Sequence, residues 1–255
     1  MWNIQQQGSN PQQVAKHDAP IKSVEWSEGM QCLVTGSWDK TMKYWDIRQG
    51  KCSMSVTLPE RVYSMRIRDE MAVVATAENP ILVFDIRNPQ QPSKTIPSPL
   101  KYQIRAIAID VDKSGFSLGS IEGRVAVHVF QENFEAKSFA FRCHRLNNDV
   151  YAINSLDYHP QFNTLATAGS DGAFHIWDKI SKQRLGKFKE GSKPIVAGRF
   201  NKDGSLYAYA CCYDWSKGHE YYKKDEKSYI MIHAPKPEEV TPKKKWIKFY
   251  LEITI

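Results

Sequence analysis

Histidine, aspartate and a hydroxyl residue recur together in this chain, and these are the residue types of a nucleophilic triad. One set is His17, Thr35 and Asp39; another is Thr167 and Asp171, with His144 or His159 as the imidazole. In a hydrolase the hydroxyl would pass its proton to the imidazole while the carboxylate held the ring. Here each set runs on to an indole, Trp45 or Trp177, and that permits another arrangement. The carboxylate accepts from the imidazole, the imidazole meets the hydroxyl, and the hydroxyl accepts the indole N–H, so that no buried polar group is left unpaired. Read this way the sets are structural tetrads, and the chain is expected not to be an enzyme. Neither G-x-x-x-x-G-K-[ST] nor H-E-x-x-H occurs. His144 follows Cys143 without a second Cys or His pair at zinc spacing, so neither a metal nor a cofactor is expected.

Short strands must hold these residues. In Leu165-Ala-Thr-Ala-Gly-Ser-Asp-Gly-Ala-Phe-His-Ile-Trp-Asp178, two β-runs flank a tight Ser170-Asp171-Gly172 turn, and the stretch from Leu33 to Asp46 repeats the design. Trp45 and Trp177 stand 132 residues apart, three units of the WD40 period of about 44. Trp2, Phe84, His128 and His233 mark the same phase in weaker units. Alternating first strands recur at Ile21 to Trp26, Val62 to Ile67, Ile104 to Ile109, Ile153 to Tyr158 and Ile195 to Phe200. The expected fold is all-β, a WD40 β-propeller with about five recognisable blades and a partial terminal blade. The predicted boundaries are a partial blade at 1–16, blades at 17–57, 58–96, 97–142, 143–189 and 190–235, and a basic then apolar tail at 236–255. Incomplete units at both ends predict an incomplete ring or compensated open edges.

The five cysteines form no C-x-x-C pair, which fits a reducing compartment. No apolar run approaches membrane-spanning length and no basic-then-apolar leader opens the sequence, so neither membrane insertion nor secretion is expected. A net charge of +7 favours an acidic partner. Without the Lys243-Lys244-Lys245 run and Lys248 it falls to about +3, so the body is only mildly basic.

Several residues offer the chemistry to bind an acidic guest. Arg124 follows the Gly123 turn at the head of an alternating strand, where its guanidinium can pair a carboxylate bidentately. Phe141-Arg142 and Trp177-Asp178-Lys179, with Lys182 and Arg184, combine flat apolar faces with cations, the means of stacking a base and holding a phosphate chain. The aromatic and charged insertion from Tyr213 to Lys227 either binds or caps a neighbouring blade.

Six segments together carry a resemblance: His17-Asp-Ala-Pro-Ile-Lys, Thr35-Gly-Ser-Trp-Asp-Lys-Thr, Gly119-Ser-Ile-Glu-Gly-Arg-Val-Ala-Val, Phe141-Arg-Cys-His-Arg145, Gly169-Ser-Asp-Gly and Tyr213-Asp-Trp-Ser-Lys-Gly-His-Glu220. From about residue 14 to 235 the chain resembles the Rae/Gle WD-repeat family of mRNA export factors of the nuclear pore. Members are seven-bladed, so the resemblance implies that part of the ring is missing from the N-terminal side. It also implies a non-enzymatic platform that docks the acidic GLEBS hairpin of a GLFG-repeat nucleoporin and contacts single-stranded RNA or messenger ribonucleoprotein. The implied location is the nucleus and the nuclear envelope at the pore, and also the cytoplasm. In the family the arginine matching Arg124 faces the hairpin, and the positions matching Phe141, Arg142, Trp177, Asp178, Lys179, Lys182 and Arg184 form a pocket also used by viral mimics of nucleic acid. The sister family of mitotic checkpoint propellers, which bind checkpoint-kinase hairpins and spindle proteins, shares several segments but is set apart by the Asp214-Trp-Ser-Lys-Gly-His-Glu220 insertion. A ubiquitin-ligase substrate receptor is the remaining alternative.

Overall fold

The computed structural model describes residues 10–133, 137–189, 191 and 193–243. The strand end read at Trp2, the lysines after Lys243 and the alternating segment 246–255 lie outside the described residues. The first sheet comprises β1 (Ile21–Ser27), β2 (Cys32–Ser37), β3 (Thr41–Asp46) and β4 (Lys51–Thr57), and the second β5 (Val62–Arg68), β6 (Met71–Thr76), β7 (Ile81–Asp85) and β8 (Lys94–Ile96). The third comprises β9 (Ile104–Ile109), β10 (Gly115–Ser120), β11 (Arg124–Val129) and β12 (Phe139–Arg142). After a two-residue hairpin, β13 (Arg145–Leu146) and β14 (Asp149–Val150), come β15 (Ile153–Tyr158), β16 (Leu165–Gly169), β17 (Ala173–Asp178) and β18 (Gln183–Lys189) of the fourth sheet. The fifth has three strands, β19 (Ile195–Phe200), β20 (Tyr207–Cys211) and β21 (Tyr229–His233), and a single helical turn, α1 (Pro237–Val240), follows. Each sheet is an antiparallel meander, the outcome expected of alternating strands joined by tight turns.

The sheets form a five-bladed propeller arrangement, with their innermost strands β1, β5, β9, β15 and β19 succeeding one another. Among the described residues four apolar clusters form the core, one in each gap between consecutive sheets. Val34, Met42 and Tyr44 meet Val62, Met65 and Phe84 in the first gap; Phe174 and Ile176 meet Ile195 and Tyr207 in the last. Every interior sheet thus buries both faces, which is why β6, β10 and β16 read as nearly continuous apolar or small-residue runs. The terminal sheets differ. Val24 on β1 is 58% exposed and Ile230 on β21 is 78% exposed, apolar faces that no neighbouring sheet covers among the described residues.

Near the axis the innermost strands are joined by charge. Arg66 on β5 donates to Glu25 on β1 at 3.0 Å and reaches Asp157 on β15 at 3.5 Å, and Arg199 on β19 donates to the same carboxylate at 3.2 Å.

Two sheets carry a polar chain from rim to core. In the first, His17 Nδ1 lies 2.7 Å from Asp39 and Nε2 lies 2.6 Å from Thr35 Oγ1, which also accepts the Trp45 indole N–H at 2.8 Å. In the fourth, His144 lies 2.8 Å from both Asp171 and Thr167, and Trp177 donates to Thr167 Oγ1 at 3.0 Å. Since a carboxylate only accepts, each imidazole donates from Nδ1 and receives the threonine hydroxyl proton at Nε2. His159 has other work: its Nε2 faces the Gly204 carbonyl at 3.2 Å, and its Nδ1 accepts the Gln161 and Phe162 N–H groups. In the second sheet the positions matching Thr35 and Trp45 are Val74 and Phe84; in the third they are Leu118 and His128. Hydroxyl and indole are lost together there, so neither is orphaned.

Burial tends to raise the Asp39 carboxyl, but hydrogen bonds from Thr41, His17 and the Asp18 N–H outweigh it and hold it at about 2. Replacing Thr167 by Val keeps the shape of the core but leaves the Trp177 N–H and His144 without their shared partner. The Thr167→Val chain is expected to be about 2 kcal/mol less stable, read as a lowered urea midpoint with unchanged slope; an unchanged midpoint would show that the tetrad is not holding the fourth sheet.

Candidate functional site

Between the outer strands of the third and fourth sheets runs a seam in which aromatic faces and cations come together. Phe139 and Phe141 alternate along β12 with exposed neighbours, so both rings turn to the seam, 5.9 Å apart. Across it stands Trp177 at the end of β17, its ring centroid 4.8 Å from that of Phe141. Its N–H is committed to Thr167, and the half-buried ring is held edge-inward with its apolar face beside Phe141. Lys182, whose φ of 57° makes the turn from β17 into β18, sits 4.7 Å over the Phe139 ring, and the Arg184 guanidinium lies 5.8 Å over Trp177. Phe139, Phe141, Trp177, Lys182 and Arg142 bound a cavity of about 360 Å³. A wider basin of about 810 Å³ continues beyond Phe139 and Lys182 towards Lys137 and Lys179.

Asp178 and Lys179 occupy the same region in a different capacity. Asp178 is buried, accepts from the Ile180 N–H at 2.9 Å and the Ser181 hydroxyl, and takes the Lys243 N–H at 3.2 Å. Lys179 is paired with the buried Asp110 carboxylate and lies 5.2 Å over the Tyr158 ring. Both therefore fix the β17–β18 turn, leaving Lys182, Arg184 and Arg142 as the exposed cations of the seam.

Arg124 stands directly opposite Arg142 in the β11–β12 register. Like charges facing each other across two strands destabilise a sheet. Within this pair Arg124 has Glu122 at 3.8 Å, yet its Nε is buried with no hydrogen-bond partner, and no carboxylate among the described residues lies within ion-pair distance of Arg142. Arg145 completes the cluster, donating to the Glu122 carbonyl at 2.8 Å. Three guanidinium groups near one strand end, two of them poorly neutralised, form a site for an anion.

Sequence reasoning did not single out a second, smaller cavity at the upper end of the seam. It measures about 210 Å³, and Arg142, Arg145, Tyr151, His175, Arg184 and Lys187 are among its walls. His175 is buried, its ring 4.7 Å from His144, and its Nδ1 has no hydrogen-bond partner. Burial first, then the adjacent His144, pushes its pKa down to about 3. His144, Asp171 and His175 place their ligand atoms within 4.8 Å of one another. A divalent cation fits poorly, because both His144 nitrogens are engaged in the tetrad and the surrounding cations oppose it. The signal available in the sequence was His175 on an apolar strand and Lys187 on the next, but their opposition appears only in the strand register.

The Tyr213 to Lys227 insertion is tied down at Asp214, which is buried, accepts from Ser170 and offers its carbonyl to Arg105 at 3.2 Å. Beyond this anchor Trp215, 57% exposed, stacks on Tyr222 with centroids 5.1 Å apart and an interplanar angle of 11°. The insertion presents a flat aromatic pair.

Comparison with known proteins places this geometry in context. A family model described as WD domain, G-beta repeat matches residues 9–46 and 137–178, the segments that carry the two tetrads. The chain is 42% identical to the mRNA export factor GLE2 of Chaetomium thermophilum, over 91% of this chain and 67% of the relative. It is 43% identical to the Poly(A)+ RNA export protein of Schizosaccharomyces pombe, over 94% and 70%, and 48% identical to Protein RAE1 of Arabidopsis thaliana, over 95% and 83%. A chain in a crystal structure of the mitotic checkpoint complex shares the fold, with a TM-score of 0.66 at 15% identity over 79% of this chain and 61% of that one.

His175 gives the site a measurable acid response. Its unfolded imidazole takes up a proton near pH 6.5, whereas in the fold it stays neutral down to about 3. Between those values the unfolded chain binds the extra proton, so stability rises with pH and falls on acidification. The His175→Phe variant is expected to show a shallower loss of stability between pH 6.5 and 4, measured by urea melts; an unaltered slope would place the buried neutral imidazole elsewhere.

Proposed function

This chain belongs to the family of the WD-repeat mRNA export factors, and from that premise we propose that it is a non-enzymatic binding platform in nuclear mRNA export. It docks the acidic GLEBS hairpin of a GLFG-repeat nucleoporin through Arg124 and its neighbours, and it contacts single-stranded RNA or messenger ribonucleoprotein along the seam of the third and fourth sheets. Its place of work is the nucleus and the nuclear envelope at the pore complex, with passage into the cytoplasm.

The observation that carries this reading is the pairing of half-buried π faces with exposed, uncommitted cations. Phe139, Phe141 and Trp177 offer apolar rings, and Lys182, Arg184 and Arg142 lie on or beside them with no carboxylate partner among the described residues. A globular core does not need cations held over its rim aromatics. Bases stack on such faces at roughly 1–3 kcal/mol each, and the phosphate chain supplies the missing counter-charge. The facing arginines at positions 124 and 142 are explained in the same terms: an acidic hairpin laid across the β11–β12 end relieves their repulsion. Homologues named for RNA export support the biological setting.

Two substitutions separate the two contacts. Arg124→Glu is expected to weaken binding of a synthetic GLEBS hairpin about tenfold, measured by calorimetry against a checkpoint-kinase hairpin as the control, while Phe141→Ala lowers affinity for a short oligouridylate and spares the hairpin. An unchanged hairpin dissociation constant for Arg124→Glu would remove Arg124 from the site. Equal loss of both ligands in Phe141→Ala would mean that one surface serves both.

A further inference from the structure

We propose that the smaller cavity at the top of the seam is a phosphate subsite, holding the backbone phosphate next to the base that stacks on Phe141 and Trp177. It rests on the reading of the seam as an RNA-binding surface, gives Arg145 a second role, and adds two residues that reading does not use: Lys187 and the unpartnered His175. The cavity is contiguous with the aromatic one, since Arg142 and Trp177 line both. A ligand with its flat group against Trp177 has its neighbouring linkage at the cavity mouth.

The walls are built for an anion. Arg142, Arg145, Arg184 and Lys187 converge on about 210 Å³, and no carboxylate among the described residues pairs with Arg142, Arg184 or Lys187. Asp171, the one acid in the wall, is occupied by His144 at 2.8 Å and by the Ala173 N–H at 3.2 Å. Lys187 is directly opposite His175 in the β17–β18 register, so an exposed ammonium and a buried imidazole whose Nδ1 lacks a partner bound the same space. A protein packing for stability alone would place an acid or an apolar residue there. The phosphodiester chain is favoured over an acidic peptide because the cations continue along a row of three rings, a base-stacking feature for which a peptide carboxylate has no use.

The experiment measures oligouridylate affinity by fluorescence anisotropy across a salt series, for the unmodified chain and for Lys187→Gln, Arg145→Gln and Phe141→Ala, with the GLEBS hairpin peptide in parallel. Each phosphate contact on a single strand contributes about 0.7 to the slope of log affinity against log salt. Lys187→Gln and Arg145→Gln are each expected to reduce that slope by about 0.7, and Lys187→Gln to leave hairpin affinity unchanged, whereas Phe141→Ala lowers affinity at every salt concentration with the slope intact. Unaltered slopes in both Lys187→Gln and Arg145→Gln, with RNA still bound, overturn the subsite and leave the RNA-binding reading standing. Loss of hairpin rather than RNA affinity in Lys187→Gln also overturns it, assigning the cavity to an acidic peptide. An unmodified chain that fails to bind the oligonucleotide removes both together.

Discussion

A single shared oxygen governs the aromatic seam of this molecule. Thr167 Oγ1 accepts the Trp177 indole proton and gives its own proton to His144, so three side chains from β16, β17 and the preceding loop are fixed by one atom. Buried N–H and O–H groups without partners are costly, and this chain of donors leaves each group one low-energy orientation. For Trp177 that orientation turns the polar edge inward and the apolar face towards Phe141. The ring that completes the aromatic pocket is therefore positioned by the fold before any ligand arrives, so that no ordering of this side chain has to accompany binding.

The same requirement explains why the tetrad can vanish from other sheets without harm. Where Val74 replaces the hydroxyl, Phe84 replaces the indole, and the pair is apolar on both sides. The four gap cores carry these sheets unaided, because each interior sheet buries both faces against its neighbours. Polar chains and apolar packing are thus two solutions to the same burial problem. The polar one occurs in the first sheet, around the buried Trp45, and in the fourth, around the half-buried Trp177.

Much of this was legible in the chain itself. Strand alternation, the Ser170-Asp171-Gly172 turn and the spacing of Thr35 to Trp45 and of Thr167 to Trp177 follow from local rules, and residue type together with spacing points to the tetrad members other than the fourth-sheet imidazole. Which imidazole serves the fourth sheet was not legible, since His144 and His159 are equally plausible by spacing; the fold sends His159 to the Gly204 carbonyl. Nor does sequence reveal that Asp178 and Lys179 are absorbed by the turn that displays Lys182 and Arg184. That depends on Asp110, far away in the chain, ion-pairing with Lys179. The upper cavity was hidden for a related reason: Arg145 and Lys187 lie on different sheets, and only packing brings them to one opening.

Propellers are built of repeats, and repeats that touch only their neighbours tend to melt one by one from the ends. The charges at the axis work against that here. Arg66 of the second sheet reaches Asp157 of the fourth, passing over the third altogether, and Asp157 also holds Arg199 of the fifth. Lifting away the first sheet breaks the Glu25–Arg66 pair and lifting away the fifth breaks the Arg199–Asp157 pair, and because Arg66 also reaches Asp157 this hub links both end sheets in one charge network. The seam between the third and fourth sheets lies within that coupled span, so its two walls are tied at the axis as well as through the core they share.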